Sequence, residues 1–261
     1  MDKPRIAGIC VFCGRTGVTK QHVFPDWISK IIPRLGHSHS QYLIFGAPDH
    51  QSNVFFVVPE IRSSRGPLLA RKIRNVCKSC NSGWMSHLEV SAKDCLKNMI
   101  LDQPTMLNDR EQSQVSAWVT MTCTMAEFTD VRSVAIPAEN RAYLMKSKLP
   151  PVGWRIFLGR STDDEFAYSH TGSAMMTEGS EPPKSANTQT STFKIGALLV
   201  HAVSSTLFDA SVLSEKLPNH LKQIWPRRES TIQWPPEQTI DSQQLAELKG
   251  SHSHYFCGLQ I

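Results

Sequence analysis

Apolar and polar residues alternate along this chain in two different rhythms, and the change comes near residue 130. Behind Cys80, the residues Trp84, Leu88 and Leu96 fall at the spacing of one helix face, with Met99 at its end. A second helical stretch runs from Asn108 to Phe128. There Val115, Trp118, Val119, Thr122 and Met125 share a face, and Asp109 and Glu111 place acid where the helix dipole favours it. Further upstream, Lys20 to Phe24 reads as a strand. Pro25-Asp26-Trp27-Ile28 then opens a short helix with Ile31 and Ile32 facing inward. Gln41 to Phe45 and Asn53 to Val58 are apolar runs split by Gly46-Ala47-Pro48-Asp49-His50, which predicts a β-hairpin.

Past residue 130 the pattern favours strands. Trp154 to Leu158, Phe166 to Tyr168 and Thr192 to Val203 run apolar or alternate. Glu178 to Ser191 is rich in Ser, Thr, Pro and Asn and predicts a mobile loop. Trp225-Pro226 and Trp234-Pro235-Pro236 predict extended segments pinned onto a surface. The expected architecture is therefore α+β: a motif-bearing unit at 1–100, a helical connector at 101–130 and a β-rich region at 131–261. No internal repeat is evident.

Composition narrows the class without naming a function. A hydrophobic fraction of 40% and a charged fraction of 20% over 261 residues are those of an ordinary folded protein. No apolar run reaches membrane-spanning length and the first residues lack a signal-peptide core, so the expectation is a cytoplasmic protein with no membrane partner. The net charge of +5 is compatible with nucleic acid and does not require it. Neither a phosphate-cradling glycine loop nor a Ser-His-Asp arrangement is present to suggest another enzyme class.

Four of the seven cysteines form two CxxC pairs, Cys10-Val-Phe-Cys13 and Cys77-Lys-Ser-Cys80. One tight turn can present two sulfurs to adjacent corners of a tetrahedron, so two such pairs predict a zinc ion with all four positions closed, hence structural. Cys95, Cys123 and Cys257 stand alone in mostly apolar surroundings and read as buried thiols. His37 and His39 read as part of a flexible polar loop, and His252 and His254 as part of a polar tail.

Between and just after the pairs lie Lys20-Gln21-His22-Val23-Phe24-Pro25 and Asn81. With Cys10-x-x-Cys13 and Cys77-x-x-Cys80-Asn81, this constellation resembles the HNH (His-Me finger) endonucleases built on a zinc-bound ββα, treble-clef-like unit. Cys80-Asn81-Ser82-Gly83-Trp84-Met85-Ser86 and Leu88-Glu89 are also similar to a largely uncharacterised bacterial and phage subgroup of that family. The specific likeness covers residues 10–90. The Trp118 region and the Trp-Pro tail extend it weakly over the rest.

The resemblance implies a metal-dependent nuclease that hydrolyses DNA phosphodiester bonds, by nicking or double-strand cleavage. His22 would be the general base, and Gln21 and Asn81 would hold a catalytic Mg²⁺ or Mn²⁺. The chemistry is coherent on its own terms, because imidazole titrates near neutrality and oxygen donors suit a hard cation. Glu89, about two helical turns after Asn81, is a further candidate ligand. His87 reads as a surface residue. Arg62, Arg65, Arg71, Lys72, Arg74 and Lys78 form a run without an acid, suited to backbone phosphates with little sequence readout.

Gln21 departs from the family, which has an acid before the base. Three accounts fit: a natural residue compensated by Glu89 or by the substrate phosphate, a binding-only relative, or a glutamate replaced to give an inactive form. The competing function classes are a non-catalytic zinc-stabilised nucleic-acid-binding module and a scaffold subunit of a defence complex. DNA is the expected partner with RNA left open, and the C-terminal region leaves room for an oligomeric or protein partner.

Overall fold

The computed structural model describes residues 8–32, 37–48, 55–65, 69, 71–162, 166–175, 185–207 and 217–250, with the backbone course alone for 37–48, 55–65 and residue 250. In chain order the first elements are β1 (Val18–His22), α1 (Ile28–Ile31), β2 (His37–Pro48), β3 (Phe55–Arg65) and β4 (Lys72–Cys77). A helical turn, α2 (Lys78–Cys80), then passes through a π-type turn (Asn81–Met85) into α3 (Ser86–Ile100). After β5 (Thr105–Leu107), α4 (Asp109–Glu127), a 3₁₀ turn (Val131–Ser133) and α5 (Ala138–Ser147) comes the strand-rich part. It holds β6 (Trp154–Arg160), β7 (Phe166–Ala174), β8 (Thr188–Ile195), β9 (Leu198–Ser205), β10 (Lys222–Trp225) and β11 (Ile232–Trp234), and ends in α6 (Ser242–Gly250). The architecture is mixed α and β.

Helix α4 is the axis of the core. Patterning predicts one apolar stripe, yet Val115 through Glu127 are all buried, because the helix lies between α3 and the large sheet. Polar residues enter that core by turning inward: Thr120 Oγ1 donates to the Ser116 carbonyl at 2.9 Å, and Thr124 Oγ1 to the Thr120 carbonyl at 2.8 Å. The acid expected at the helix start closes a capping box. Asn108 Oδ1 accepts from the Arg110 N–H at 2.9 Å, and Glu111 Oε2 accepts from the Asn108 N–H at 2.8 Å.

The large sheet has seven strands in the order β10-β6-β9-β8-β7-β2-β3. Its pairs are antiparallel except β2 with β7, which run parallel. The β2–β3 hairpin, inserted in sequence between the two cysteine pairs, is therefore spatially part of this sheet, with β3 at its edge. His37 and His39 lie on β2 rather than in the expected loop. One sheet face packs on α4, where Phe193 meets Trp118 edge to face at 6.0 Å. The other face carries Phe157, Ala167 and Leu199 beneath Leu245 and Leu248 of α6. Gly196 makes the tight β8–β9 turn at φ +57°, where an added Cβ would collide with the Ile100 carbonyl.

One further expectation is corrected here. The loop predicted to end at Ser191 gives way to strand at Thr188, and every residue of β8 is buried. Its hydroxyls are satisfied inside the fold. Thr192 Oγ1 donates to the Leu248 carbonyl at 3.1 Å, and Ser169 Oγ on β7 to the Lys249 carbonyl at 2.9 Å. They cap the last carbonyls of α6, which have no partner within the helix. Because Thr192 gives its proton to Leu248, it accepts from His201 Nδ1, 2.8 Å away. A composition that looks loop-like is thus interior, because both sheet faces are covered.

Candidate functional site: the four-cysteine centre and its basic ribbon

Strands β1 and β4 form a separate two-stranded antiparallel ribbon. Its ladder pairs Val18 with Cys77 at one end and His22 with Lys72 at the other. The first cysteine pair sits in a turn where the Cys10 N–H donates to the Arg15 carbonyl at 2.8 Å and the Gly14 N–H to the Cys10 carbonyl at 2.9 Å. Gly14 adopts φ +72°, the left-handed conformation that glycine takes without strain. The Val11 N–H donates to the Asn75 carbonyl at 2.9 Å, fixing this knuckle against β4. Cys77 ends β4, and Cys80 closes the first helical turn after it.

The four sulfurs lie within 4.8 Å of one another, with Cys13 and Cys77 at 3.6 Å. Thiolates bound at about 2.3 Å to one tetrahedral zinc stand about 3.8 Å apart, whereas a disulfide needs about 2 Å. The spacing and the all-sulfur donor set fit zinc, with no corner left open. Burial opposes ionisation of Cys77, but hydrogen bonds from the Ser79 hydroxyl and the Cys80 N–H outweigh it and bring the thiol down to about 6. Burial pushes Cys13 and Cys80 up.

A distant helix braces this centre. Arg141 of α5 donates through Nε to the Val11 carbonyl at 2.9 Å and through its other arm to the Ile136 carbonyl. Met145 Sδ lies 3.9 Å from Cys80 Sγ. Phe12 stands edge-on to Trp84 at 5.0 Å. At the start of this brace, the buried Glu127 accepts at Oε2 from the Ala135 N–H at 3.0 Å and the Ile136 N–H at 3.2 Å. Burial raises its carboxyl to about 8 against those bonds and the Arg141 charge. The sequence reading passed over both residues, since a Glu closing a helix and an isolated Arg look like solvated charges.

His22 is half-buried at the end of β1, with Nδ1 covered and without a hydrogen-bond partner among the described residues. Burial lowers its pKa and the Lys72 charge adds to that; Asp26 and a hydrogen bond to the Leu69 carbonyl oppose it. The ring is therefore neutral, in base form, at pH 7. Gln21 pairs with Ile73 beside a bulge between Thr19 and Gln21. Lys20, at that bulge, is exposed, as are Lys72, Arg74 and Lys78. Lys20 was missed, although its place beside Gln21-His22 is a usable signal.

The remaining candidates do not all converge. Arg71 is half-buried and donates to the Thr129 carbonyl at 3.3 Å. Arg62 and Arg65 lie on β3, opposite Gln41 and Ser38, with side chains outside the described residues. Asn81 follows Cys80 at the zinc end of the ribbon, four ladder positions plus a helical turn beyond Ile73, the partner of Gln21. Glu89 faces Trp27, just after His22; burial raises its carboxyl against the Lys93 charge and the indole. His87 is exposed, Cys95 half-buried and Cys123 fully buried, while Cys257, His252 and His254 lie outside the described residues.

Apart from the four cysteines, no group of three or more His, Cys, Asp or Glu ligands is assembled among the described residues. Gln21 and Asn81 offer only neutral amide oxygens, a poor set for Mg²⁺, which favours carboxylates. The residues present thus fit a structural zinc and do not make a resident Mg²⁺ site. Among the described residues no helix is long and apolar enough to cross a membrane. No protein-family model matches this chain, and neither the curated proteins nor the solved structures supply a match.

Proposed function

We propose that this chain is a nucleic-acid phosphodiester hydrolase of the His-Me finger type, an HNH endonuclease whose catalytic power is curtailed at residue 21. The observation that carries the reading is His22: a neutral imidazole with an unpartnered Nδ1, beside Lys72, on a ribbon anchored by a four-sulfur centre. In this reading His22 acts as general base through Nδ1, which is covered in the free chain and has to be uncovered as substrate binds before it can take the proton of the attacking water. Lys72, Arg74 and Lys20 neutralise the phosphates on either side of the scissile bond. A divalent cation from solution, when bound, would add charge neutralisation at the leaving oxygen. Among the described residues, the Asp26 carboxylate acts on His22 through its charge but is paired with Lys30 at 2.9 Å, so it does not replace the missing acid at residue 21.

One observation favours a second reading. Among the described residues no group of three or more ligands includes His22, which suits a zinc-stabilised nucleic-acid-binding module that does not cleave. Nicking of supercoiled plasmid with Mg²⁺, with Mn²⁺ and with chelator separates the two. The proteins to compare are the chain itself, Gln21→Glu, and Gln21→Glu with His22→Ala. The nuclease reading expects cleavage to rise in Gln21→Glu and to fall by about 10²- to 10⁴-fold when His22 is removed. Salt-sensitive DNA binding with no cleavage by any of the three would select the binding module, and absence of both activities would favour the scaffold.

A further inference from the structure

On the flank of α3 opposite Glu89 and Lys93 lies a groove of about 600 Å³, between α3, the start of α4 and the end of α5. The volume is that of a small-molecule site. Its floor is apolar, made by Trp84, Leu88 and Leu149, and its rim is basic. Arg110 is exposed, and its guanidinium makes no hydrogen bond or ion pair among the described residues. Lys148 Nζ sits 5.4 Å from the Trp84 ring centre, tethered to the Met145 carbonyl at the end of α5. Gln114 adds an amide with two donors and an acceptor.

Among the described residues no carboxylate lines this groove. Of the acids nearby, Glu111 Oε2 is engaged in the Asn108 cap and Asp109 with Arg227 at 3.6 Å, while Asp94, one helical turn beyond Ser91, is exposed and outside the lining. Charge complementarity therefore selects an anion, and the floor selects one that carries a flat apolar body. We infer that this groove binds a nucleotide unit, with its phosphate at Arg110 and Lys148, its ring over Leu88 and Leu149, and its base edge toward Gln114. The choice of a nucleotide over another aromatic anion rests on the nucleic-acid reading above. The groove lies on the other side of α3 from His22, so occupancy does not depend on cleavage. Its role is to hold a nucleotide splayed from a strand that also contacts the ribbon, since an unstacked base presents a free face and edge.

Titration of the full chain with dAMP, read by tryptophan fluorescence, tests this without any turnover. Saturable binding is expected, about tenfold or more weaker in Arg110→Glu, because a charge-assisted bond is exchanged for a repulsion. Ser91→Trp, which fills the mouth of the groove, should abolish it, while circular dichroism reports both variants folded. Benzoate and inorganic phosphate should compete poorly. No saturable binding by the folded wild type, equal affinity in Arg110→Glu, or equal competition by phosphate or benzoate overturns the assignment. Binding that meets these criteria while plasmid and DNA-binding tests fail would leave the groove as a nucleotide site and remove only the ribbon's proposed role.

Discussion

The ribbon and the large sheet are held by different forces, and the molecule is informative because both are β structure. In the sheet, β8 and β9 are buried at every position and Phe193 packs between Trp118 and Phe24. Order there comes from apolar area removed from water and from hydroxyls paired across strands. In the ribbon, β1 has no fully buried residue, and β4 buries only its last three, Asn75, Val76 and Cys77. A two-stranded ribbon is marginal by itself. Its fixity comes from four sulfurs at one end, Arg141 behind them, and Phe24 leading the chain into the core at the other. Half-exposed backbone held by a metal staple can present a base and several cations to solvent. A fully buried sheet cannot.

The largest expected effect breaks the ribbon alone. Stripping zinc with a strong chelator removes on the order of 10 kcal/mol or more of metal-coupled folding energy. Hydrogen exchange should then accelerate across residues 10–22 and 72–80 and change little in β8 and β9. Uniform loss of protection would show that the ribbon and the sheet form one cooperative unit. The converse cut is Trp118→Ala, which empties the contact between α4 and the sheet. About 3–5 kcal/mol should be lost from global unfolding. Zinc stoichiometry, measured on the protein while still folded, should stay at one per chain.

Glu127 lies between the two regions, and its pH behaviour sharpens the contrast. Its carboxyl is raised from 4.5 to about 8, so the stability it contributes is complete below about pH 4.5 and is lost as pH rises through 8. His170 and His201 run the other way. Burial lowers both to about 4, so what they contribute is present above about 6.5 and is lost as pH falls toward 4. Thermal unfolding against pH should therefore peak between these limits. Glu127→Gln should flatten the alkaline side, while the rise on the acid side persists and steepens above about pH 4.5. An unchanged alkaline slope would remove Glu127 from the account.

How much of this was legible follows the same division. The knuckles could be read because metal ligation dictates residue type and spacing locally, and α3 and α4 because a helix must repeat its apolar face. The start of β8 could not. Thr188, Thr190 and Ser191 resemble a polar loop unless one knows that β7 and β9 pair on either side of them and that their side chains are buried. For the same reason the β2–β3 hairpin could be foreseen and its parallel pairing with β7 could not. The Arg141 brace is equally non-local, linking residues 130 positions apart. At the candidate site, His22 and Lys72 fall together because the ladder joins them. Asn81 and Gln21, close in motif logic, are held toward different ends of one ribbon.

The smallest predicted effect bears most directly on the ribbon's chemistry. Burial is the larger cause that lowers the His22 pKa, and the Lys72 charge is the second. Lys72→Met should therefore raise it only part of the way to the ordinary 6.5, since the covered ring remains. Asp26 acts in the opposite sense, although its own charge is shared with Lys30 at 2.9 Å. Asp26→Asn should consequently lower the His22 pKa by less than Lys72→Met raises it. Proton NMR of the His22 ring, followed through pH in both variants and in the parent, separates the two signs. If His22 is the base, the acidic limb of nicking by Gln21→Glu protein should follow it: upward in pH with Lys72→Met, downward with Asp26→Asn. A limb that stays fixed while the ring titration moves would assign the proton transfer to another group and leave His22 a positioning residue.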